Sequence, residues 1–387
     1  MKTLSKTISA AAHLTCPNCG KQYNIHTIQT FATCCNEPLF TVYNSNALPA
    51  IKIHSKTQSL WRYANMLPVF DEQNIVSLNE GFTPIHTLNK ISNRYKVNTV
   101  YLKDEGVNPT GSFKARGLSV AISKAKELGI EQCVIPTAGN AGGALSAYCA
   151  KAKIKATIVM PENSASVIKE EVQLYGAKLL QIPGFIQQCG KLAEEIAQKT
   201  GAFNLSTMKE PYRLEGKKTL GYEIAEQLNW QLPDVIIFPT GGGTGLIGIW
   251  KAFHELEQLN WITFNKKPRM VIVQTKNCNP MIQIIKNGQK QNNFQPQHSI
   301  ANGLVVPTPF AEKSMLRVII ESNGTGIDVN EEEIQKSMQE IAKTEGLLLS
   351  PEGAAAFAGF KKLTEKNWIE AHENVCIVNT GSWYKYH

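Results

Sequence analysis

The sequence predicts an α/β protein built on open, mostly parallel sheets with helices on both faces. Three observations carry that prediction. Short strands such as "CVIP", "DVIIFP" and "NVCIVN" are apolar throughout, which marks strands buried on both faces. Amphipathic helices separate them, in the alternation that builds parallel sheets. Glycine-containing loops close three of the strands, at "TAGN" (137–140), "TGGGTG" (240–245) and "NTGS" (379–382). In such sheets ligands sit beyond the C-terminal strand ends, where the next helix begins.

The elements follow in order. Residues 1 to about 58 stand apart, with four of the nine cysteines and few apolar runs, and read as a small appended module. From about Trp61 the alternation begins. "RGLSVAISKAKELG" places Leu118, Ala121, Ile122, Ala125 and Leu128 on one helical face, and Gly129 ends it as a C-cap. Then come strand "CVIP", helix "AGGALSAYCAKA", strand "KATIVM", helix "SASVIKEEVQLYG" and strand "KLLQI". Strand "DVIIFP" runs through the glycine loop into helix "LIGIWKAFHELEQL", followed by strand "RMVIVQT". The polar stretch 286–298 reads as a surface loop. Helices "EEEIQKSMQEIAKTEG" and "PEGAAAFAGFKKL" precede the last buried strand.

Composition narrows the function classes. With 387 residues, 43% of them hydrophobic, the chain can bury cores for two domains. The net charge of +8 is spread among mixed-sign segments, with no basic block of the kind that binds nucleic acid. No run of about 18 apolar residues offers a membrane span, and the N-terminus lacks the apolar core of a signal peptide. Cys133, Cys149 and Cys376 sit in apolar contexts, as reduced thiols do, so a cytoplasmic enzyme is expected.

The chemistry centres on Lys114 in "NPTGSFKARG", a lysine held by a turn at the mouth of an apolar helix. "TGGGTG" follows a strand and opens a helix, the setting in which backbone N–H groups converge on a phosphate. It is neither a Walker A loop nor a dinucleotide fingerprint. Asn140 can donate to a ligand oxygen or serve as an N-cap, and Thr380 ends a buried strand. A phosphate cradle without a nucleotide motif, together with a positioned lysine, suits pyridoxal 5′-phosphate held as a Schiff base. Such a lysine must be neutral to attack the aldehyde.

The segments "YLKDEGVNPTGSFKARG", "TAGNAGGA", "PYRLEGKKTLGYE", "PTGGGTG" and "PEGAAA" resemble the threonine synthase family among the fold-type-II pyridoxal phosphate enzymes, the tryptophan synthase β-like superfamily. The resemblance runs from about Ser59 to the C-terminus. It implies that Lys114 carries the cofactor, that Asn140 bonds its 3′-oxygen, and that Gly241, Gly242, Gly243, Thr244 and Gly245 hold its phosphate. Thr380 would face the pyridine nitrogen, where a hydroxyl, unlike an aspartate, does not force ring protonation and so favours elimination and replacement. The implied reaction converts O-phospho-L-homoserine and water to threonine and phosphate, with Lys114 transferring most of the protons. Arg213 and Lys217 are candidate cations for the substrate phosphate, with Thr110 and Ser112 contributing hydroxyls; an ion pair with Glu215 or a neighbouring segment is the other reading of Arg213. The chain departs from many relatives at Ala115, where they carry aspartate, which bears on the substrate.

The implied architecture is a smaller domain, 114–215, inserted in a larger one made of 59–113 and 216–387, with the cofactor in a cleft. A homodimer is implied by the same relatives. At the N-terminus, Cys16-x-x-Cys19 resembles half of a zinc ribbon, with Cys34 and Cys35 as the second pair. Adjacent cysteines rarely turn both sulfurs to one ion, so His26 is an alternative ligand, and a ribbon without metal stays open beside structural zinc. Two further functions remain open: a β-eliminating deaminase or β-replacement synthase acting on serine, threonine or phosphoserine, and a non-catalytic protein that binds pyridoxal phosphate or an amino acid.

Overall fold

Three sheets organise the chain in the computed structural model, which describes residues 8–44, 52–184, 186–263, 267–290 and 294–386. The first is a small antiparallel sheet of β1 (Ala11–Thr15), β2 (Gln22–Tyr23) and β3 (Phe40–Tyr43), in the order β2-β1-β3. Next along the chain come β4 (Ile85–Thr87), α1 (Asn89–Tyr95) and β5 (Thr99–Asp104). Residues 114–219 then supply α2 (Lys114–Glu127), β6 (Gln132–Pro136), α3 (Asn140–Ala152), β7 (Lys155–Pro161), α4 (Ser166–Leu174), β8 (Lys178–Ile182), α5 (Ile186–Thr200), β9 (Phe203–Asn204) and the start of α6 (Tyr212–Gln227). The rest holds β10 (Val235–Pro239), α7 (Thr244–Gln258), β11 (Arg269–Thr275), α8 (Pro280–Asn287), α9 (Glu312–Glu321), β12 (Thr325–Val329), α10 (Glu331–Glu345), α11 (Pro351–Glu365) and β13 (Asn374–Asn379). In the expected surface loop 286–298, residues 291–293 lie outside the described ones, as do 1–7 and 45–51 of the N-terminal module.

One sheet is wholly parallel, in the order β8-β7-β6-β9. The other runs β12-β11-β10-β13-β5-β4 and is parallel except for β4, which pairs antiparallel at its edge. Crossover helices cover parallel strands on both faces, hence the uninterrupted apolar runs of β10 and β13.

The chain divides into Met1–Phe82 with Lys114–Thr219, and Thr83–Phe113 with Leu220–His387. This corrects the boundaries drawn from the sequence, which gave residues 59–82 to the larger domain and set the N-terminal module apart. Packing gives the reason. Leu60, Trp61, Ala64, Leu67 and Val69 bury themselves with Val120 of α2. From the module, Ala11, Leu14, Cys16, Ile25, Ala32 and Leu39 share one apolar core with Ala115, Leu118, Leu145 and Tyr212. At this length a three-stranded sheet cannot close a core of its own, so it completes one supplied by later residues.

The second unit buries an ion pair at Lys103. This lysine and Glu223 are both fully buried and 2.9 Å apart, and Lys103 also donates to the Thr83 carbonyl and to Gln227. Removing one member of such a pair strands the other charge in a dry interior.

Candidate active site

Lys114 is the first residue of α2 and half-buried. The segment leading to it is held by a polar network that the motif "KDEGVNPTG" encodes. Glu105 is fully buried and accepts from the Thr83 hydroxyl at 2.5 Å and the Asn108 amide at 2.9 Å. Asn108 in turn accepts the Gly111 N–H, closing the turn at 2.8 Å. Within that turn Thr110 has φ +65°, a costly conformation for a β-branched residue, and its buried hydroxyl has no partner among the described residues.

The same segment is tied to the end of β13. The Phe113 N–H donates to the Thr380 carbonyl at 3.0 Å, Ser112 bridges Gly381, and the Ser382 N–H donates to Gly111. Thr380, Ser112 and Thr110 are therefore brought together, and Phe113 immediately precedes Lys114. Asn379 braces this corner: its side-chain oxygen accepts from Ser350 N–H and hydroxyl, and its amide donates to Asp104.

The glycine loop opens α7. Gly243 is the N-cap, with φ +84° and no side-chain cap, so the first N–H groups of a 15-residue helix are left for a ligand. A Cβ at Gly241 would lie 2.4 Å from the Gly303 carbonyl oxygen, so the loop runs too close to other backbone for any side chain. Gly242 and Thr244 complete the loop, and Gly245 lies under the Phe238 ring. In the other unit, Asn140 begins α3 after Gly139, again with no side-chain cap.

Arg213 takes the ion-pair reading, with Glu210 rather than Glu215. It is 2% exposed, donates through Nη1 to the Leu205 carbonyl at 2.6 Å, and lies 4.0 Å from Glu210. Glu215 instead meets Lys218 at 2.6 Å. Lys217 is also buried, with its stem against Gly117 on the first turn of α2. Ala115 lies wholly within the apolar core, where an aspartate would need a buried partner.

Burial pushes the Glu210 carboxyl up to about 7, outweighing the Arg213 charge. The folded protein thus keeps a proton that the unfolded chain releases near 4.5. This contribution to stability is full below that pH and lost as pH rises through 7. A Glu210→Gln variant keeps the acceptor for the Tyr212 and Arg213 N–H groups. Between about pH 5 and pH 8 it is expected to lose about 3 kcal/mol less stability than the wild type, read from denaturant melts at both pH values.

Sequence reasoning missed Glu80, a fully buried carboxylate that accepts from Trp61 and Ser119, from the Tyr148 hydroxyl and from the Leu78 N–H. The available signal was the turn "NEGF", in which Asn79, Gly81 and Phe82 all have positive φ.

In the N-terminal sheet the Sγ atoms of Cys16, Cys19, Cys34 and Cys35 lie within 4.8 Å of one another. Both adjacent cysteines face the cluster. His26 does not join it and packs on Phe70 with ring centroids 4.6 Å apart. The Tyr23 hydroxyl donates to Cys34 and draws that thiol down to about 7.

A model of the pyridoxal-phosphate dependent enzymes matches residues 76–381. The chain belongs to this family. Threonine synthases of Methanocaldococcus jannaschii and Methanosarcina acetivorans are 33% and 32% identical to it, across 96% of this chain and 92% of each relative. A threonine synthase of Halalkalibacterium halodurans is 31% identical across 84% of this chain and 90% of its own. Among solved structures, maize serine racemase superposes with a TM-score of 0.65 at 22% identity, over 78% of this chain and 88% of that one. A fungal L-serine ammonia-lyase from Rhizomucor miehei does so at 0.67 and 19% identity, over 79% and 96%. These structures share the fold.

The residues present fit the cofactor of a pyridoxal-phosphate dependent enzyme. The glycine loop offers an uncapped helix N-terminus to a phosphate, and the strained Thr110 presents a buried hydroxyl with no partner among the described residues. Among the described residues no helix is long and apolar enough to cross a membrane.

Proposed function

We propose that this chain acts as a threonine synthase, converting O-phospho-L-homoserine and water to L-threonine and phosphate. The observation that carries the reading is identity above 30% to threonine synthases over nearly the whole chain. Pyridoxal phosphate, when bound, supplies an aldehyde for the substrate amine and a ring that takes up electrons from the carbon that loses its proton.

The chain's own residues do the rest. Gly241, Gly242, Gly243, Thr244 and Gly245 hold the cofactor phosphate at the head of α7. Asn140 would hydrogen-bond its 3′-oxygen, and Thr380 would serve as the hydroxyl partner of its ring nitrogen. Lys114 Nζ is the cofactor's attachment point, removes the substrate Cα proton and returns protons along the carbon chain, so that one amine serves several transfers. Thr110 and Ser112 orient the substrate beside it. Arg213 and Lys217, the latter with its stem against Gly117 on the first turn of α2, are the candidate cations for the substrate's phosphate.

The four clustered thiols are proposed to hold a structural zinc. A tetrahedral Zn–S₄ site at about 2.3 Å per bond needs sulfurs about 3.8 Å apart, and the four sulfurs already meet within 4.8 Å. One zinc per chain, lost in a Cys16→Ser, Cys19→Ser double variant, is the expected metal analysis. The free state of all nine cysteines supports a reducing, cytoplasmic setting. A homodimer follows the resemblance, and light scattering tests it.

The deciding experiment incubates the holoenzyme with O-phospho-L-homoserine and follows both products. Equimolar threonine and phosphate are expected. Neither product, with turnover of serine or threonine instead, would move the chain to the deaminase reading.

A further inference from the structure

A short helical turn, Trp383–Lys385, follows β13 and leads to Tyr386. The Tyr386 hydroxyl donates to Glu352 Oε2 at 2.6 Å, and Glu352 Oε1 accepts the Gly303 N–H at 2.8 Å. One carboxylate in the first turn of α11 thus spans two distant segments, with a different oxygen for each. Glu352 is 4% exposed, so bulk water does not compete for these bonds. The turn that carries Tyr386 is itself anchored. The Ser382 N–H donates to the Gly111 carbonyl at 2.8 Å, Ser382 bridges Leu349 just before α11, and the Tyr386 N–H returns to the Trp383 carbonyl at 3.1 Å.

Gly303 is where these contacts meet the glycine loop. A Cβ at Gly241 would lie 2.4 Å from the Gly303 carbonyl oxygen, and a Cβ at Gly303 would lie 2.8 Å from Glu352 Oε1. Gly303 therefore has loop main chain on one side and the carboxylate on the other. Main chain against main chain has no side-chain tip to absorb a displacement, so a shift of Gly303 passes to Gly241. Gly243, two residues on, is supported differently: a Cβ there would meet the Met315 sulfur at 2.4 Å, and a thioether side chain adapts readily. The firm support is the one at Gly241. The terminal torsion of a glutamate is soft, so a carboxylate held by one oxygen alone can swing. The Tyr386 hydroxyl on the second oxygen fixes its plane.

We infer that Tyr386 is a positioning residue for the phosphate cradle, acting through Glu352 and Gly303 on Gly241. The inference rests on the assignment of residues 241–245 to the cofactor phosphate in the proposed function. It brings a residue from beyond β13 into cofactor binding, and it gives the glutamate of "PEGAAA" a task that the motif alone does not show.

Tyr386→Phe tests it, because the ring stays and only the hydroxyl is lost. The full chain, freed of cofactor, is titrated spectroscopically with pyridoxal phosphate and, separately, with pyridoxal, which has the same ring and aldehyde but no phosphate. Affinity for pyridoxal phosphate is expected to fall roughly tenfold, the scale of one buried hydrogen bond, with affinity for pyridoxal held within about twofold. Glu352→Ala, which takes the acceptor from the Gly303 N–H outright, should widen the same split. Unchanged affinity for pyridoxal phosphate in Tyr386→Phe would overturn the inference, and so would an equal loss for both compounds, which marks a merely structural tyrosine. Gly241→Ala in the same assay isolates the underlying assignment. If it binds pyridoxal phosphate as the wild type does, the cradle assignment fails and takes the inference with it. If it loosens the phosphate compound while Tyr386→Phe does not, the assignment stands and the inference alone falls.

Discussion

Lys114→Ala is expected to abolish threonine and phosphate release, lowering turnover by more than about 10³-fold, while the protein stays folded. In the proposed reaction the amine is both the attachment point of the cofactor and the base at the substrate Cα, so no neighbouring group would replace it. Folding survives because Lys114 is only half-buried and begins a helix, where the positive pole disfavours a positively charged side chain. Parallel assays of threonine and phosphate, with a thermal melt of the same sample, check both halves. Turnover within tenfold of the wild type would remove Lys114 from the chemistry. Loss of the folding transition would instead give it a structural role.

The second large effect is expected at the phosphate cradle. In Gly241→Ala the new methyl group would sit 2.4 Å from the Gly303 carbonyl oxygen and 3.0 Å from Val306 Cγ2. The first of these is main chain, which cannot swing aside as a side-chain tip does, so the loop itself must move. A shift of that size spoils the aim of the N–H groups at the head of α7. Cofactor affinity should fall at least about 100-fold, with stability lowered by about 1–3 kcal/mol. Spectroscopic titration of the apoprotein with pyridoxal phosphate measures the first quantity and denaturant melts the second. Gly190→Ala in α5 is the control: a Cβ there meets nothing within 4 Å. Alanine at that helix-interior position should be neutral or slightly stabilising.

What could be read from the sequence was what local pattern determines. Apolar strand followed by glycine loop followed by helix is a short-range signal, and it located β10 and α7, as well as β6 and α3. The turn that leads into α2 and Lys114 was legible in the same way. Long-range burial left no such trace. Helix α6 carries glycine at 216 and 221 and is buried on nearly every side, so it shows no polar face and no 3.6-residue rhythm, and its glycines are packing devices rather than breaks. Glu80 and Lys103 look like ordinary surface charges until their partners, brought from distant segments, appear around them. The assignment of residues 59–82 followed sequence adjacency, whereas their apolar faces were made for Val120 and its neighbours.

The shared core of the first unit also sets an order of events during synthesis. Leu14 and Leu39 lie in the same apolar cluster as Tyr212, and 173 residues separate Leu39 from Tyr212. At ribosomal speeds of about 5–20 residues per second, the N-terminal strands wait roughly 10–35 s for the surface that covers them. During that interval they are a sticky, half-finished layer at the front of a growing chain. Four thiols within reach of one ion can be gathered long before the helices arrive. A nascent chain starved of zinc would then aggregate during translation, even if the finished enzyme tolerates a chelator.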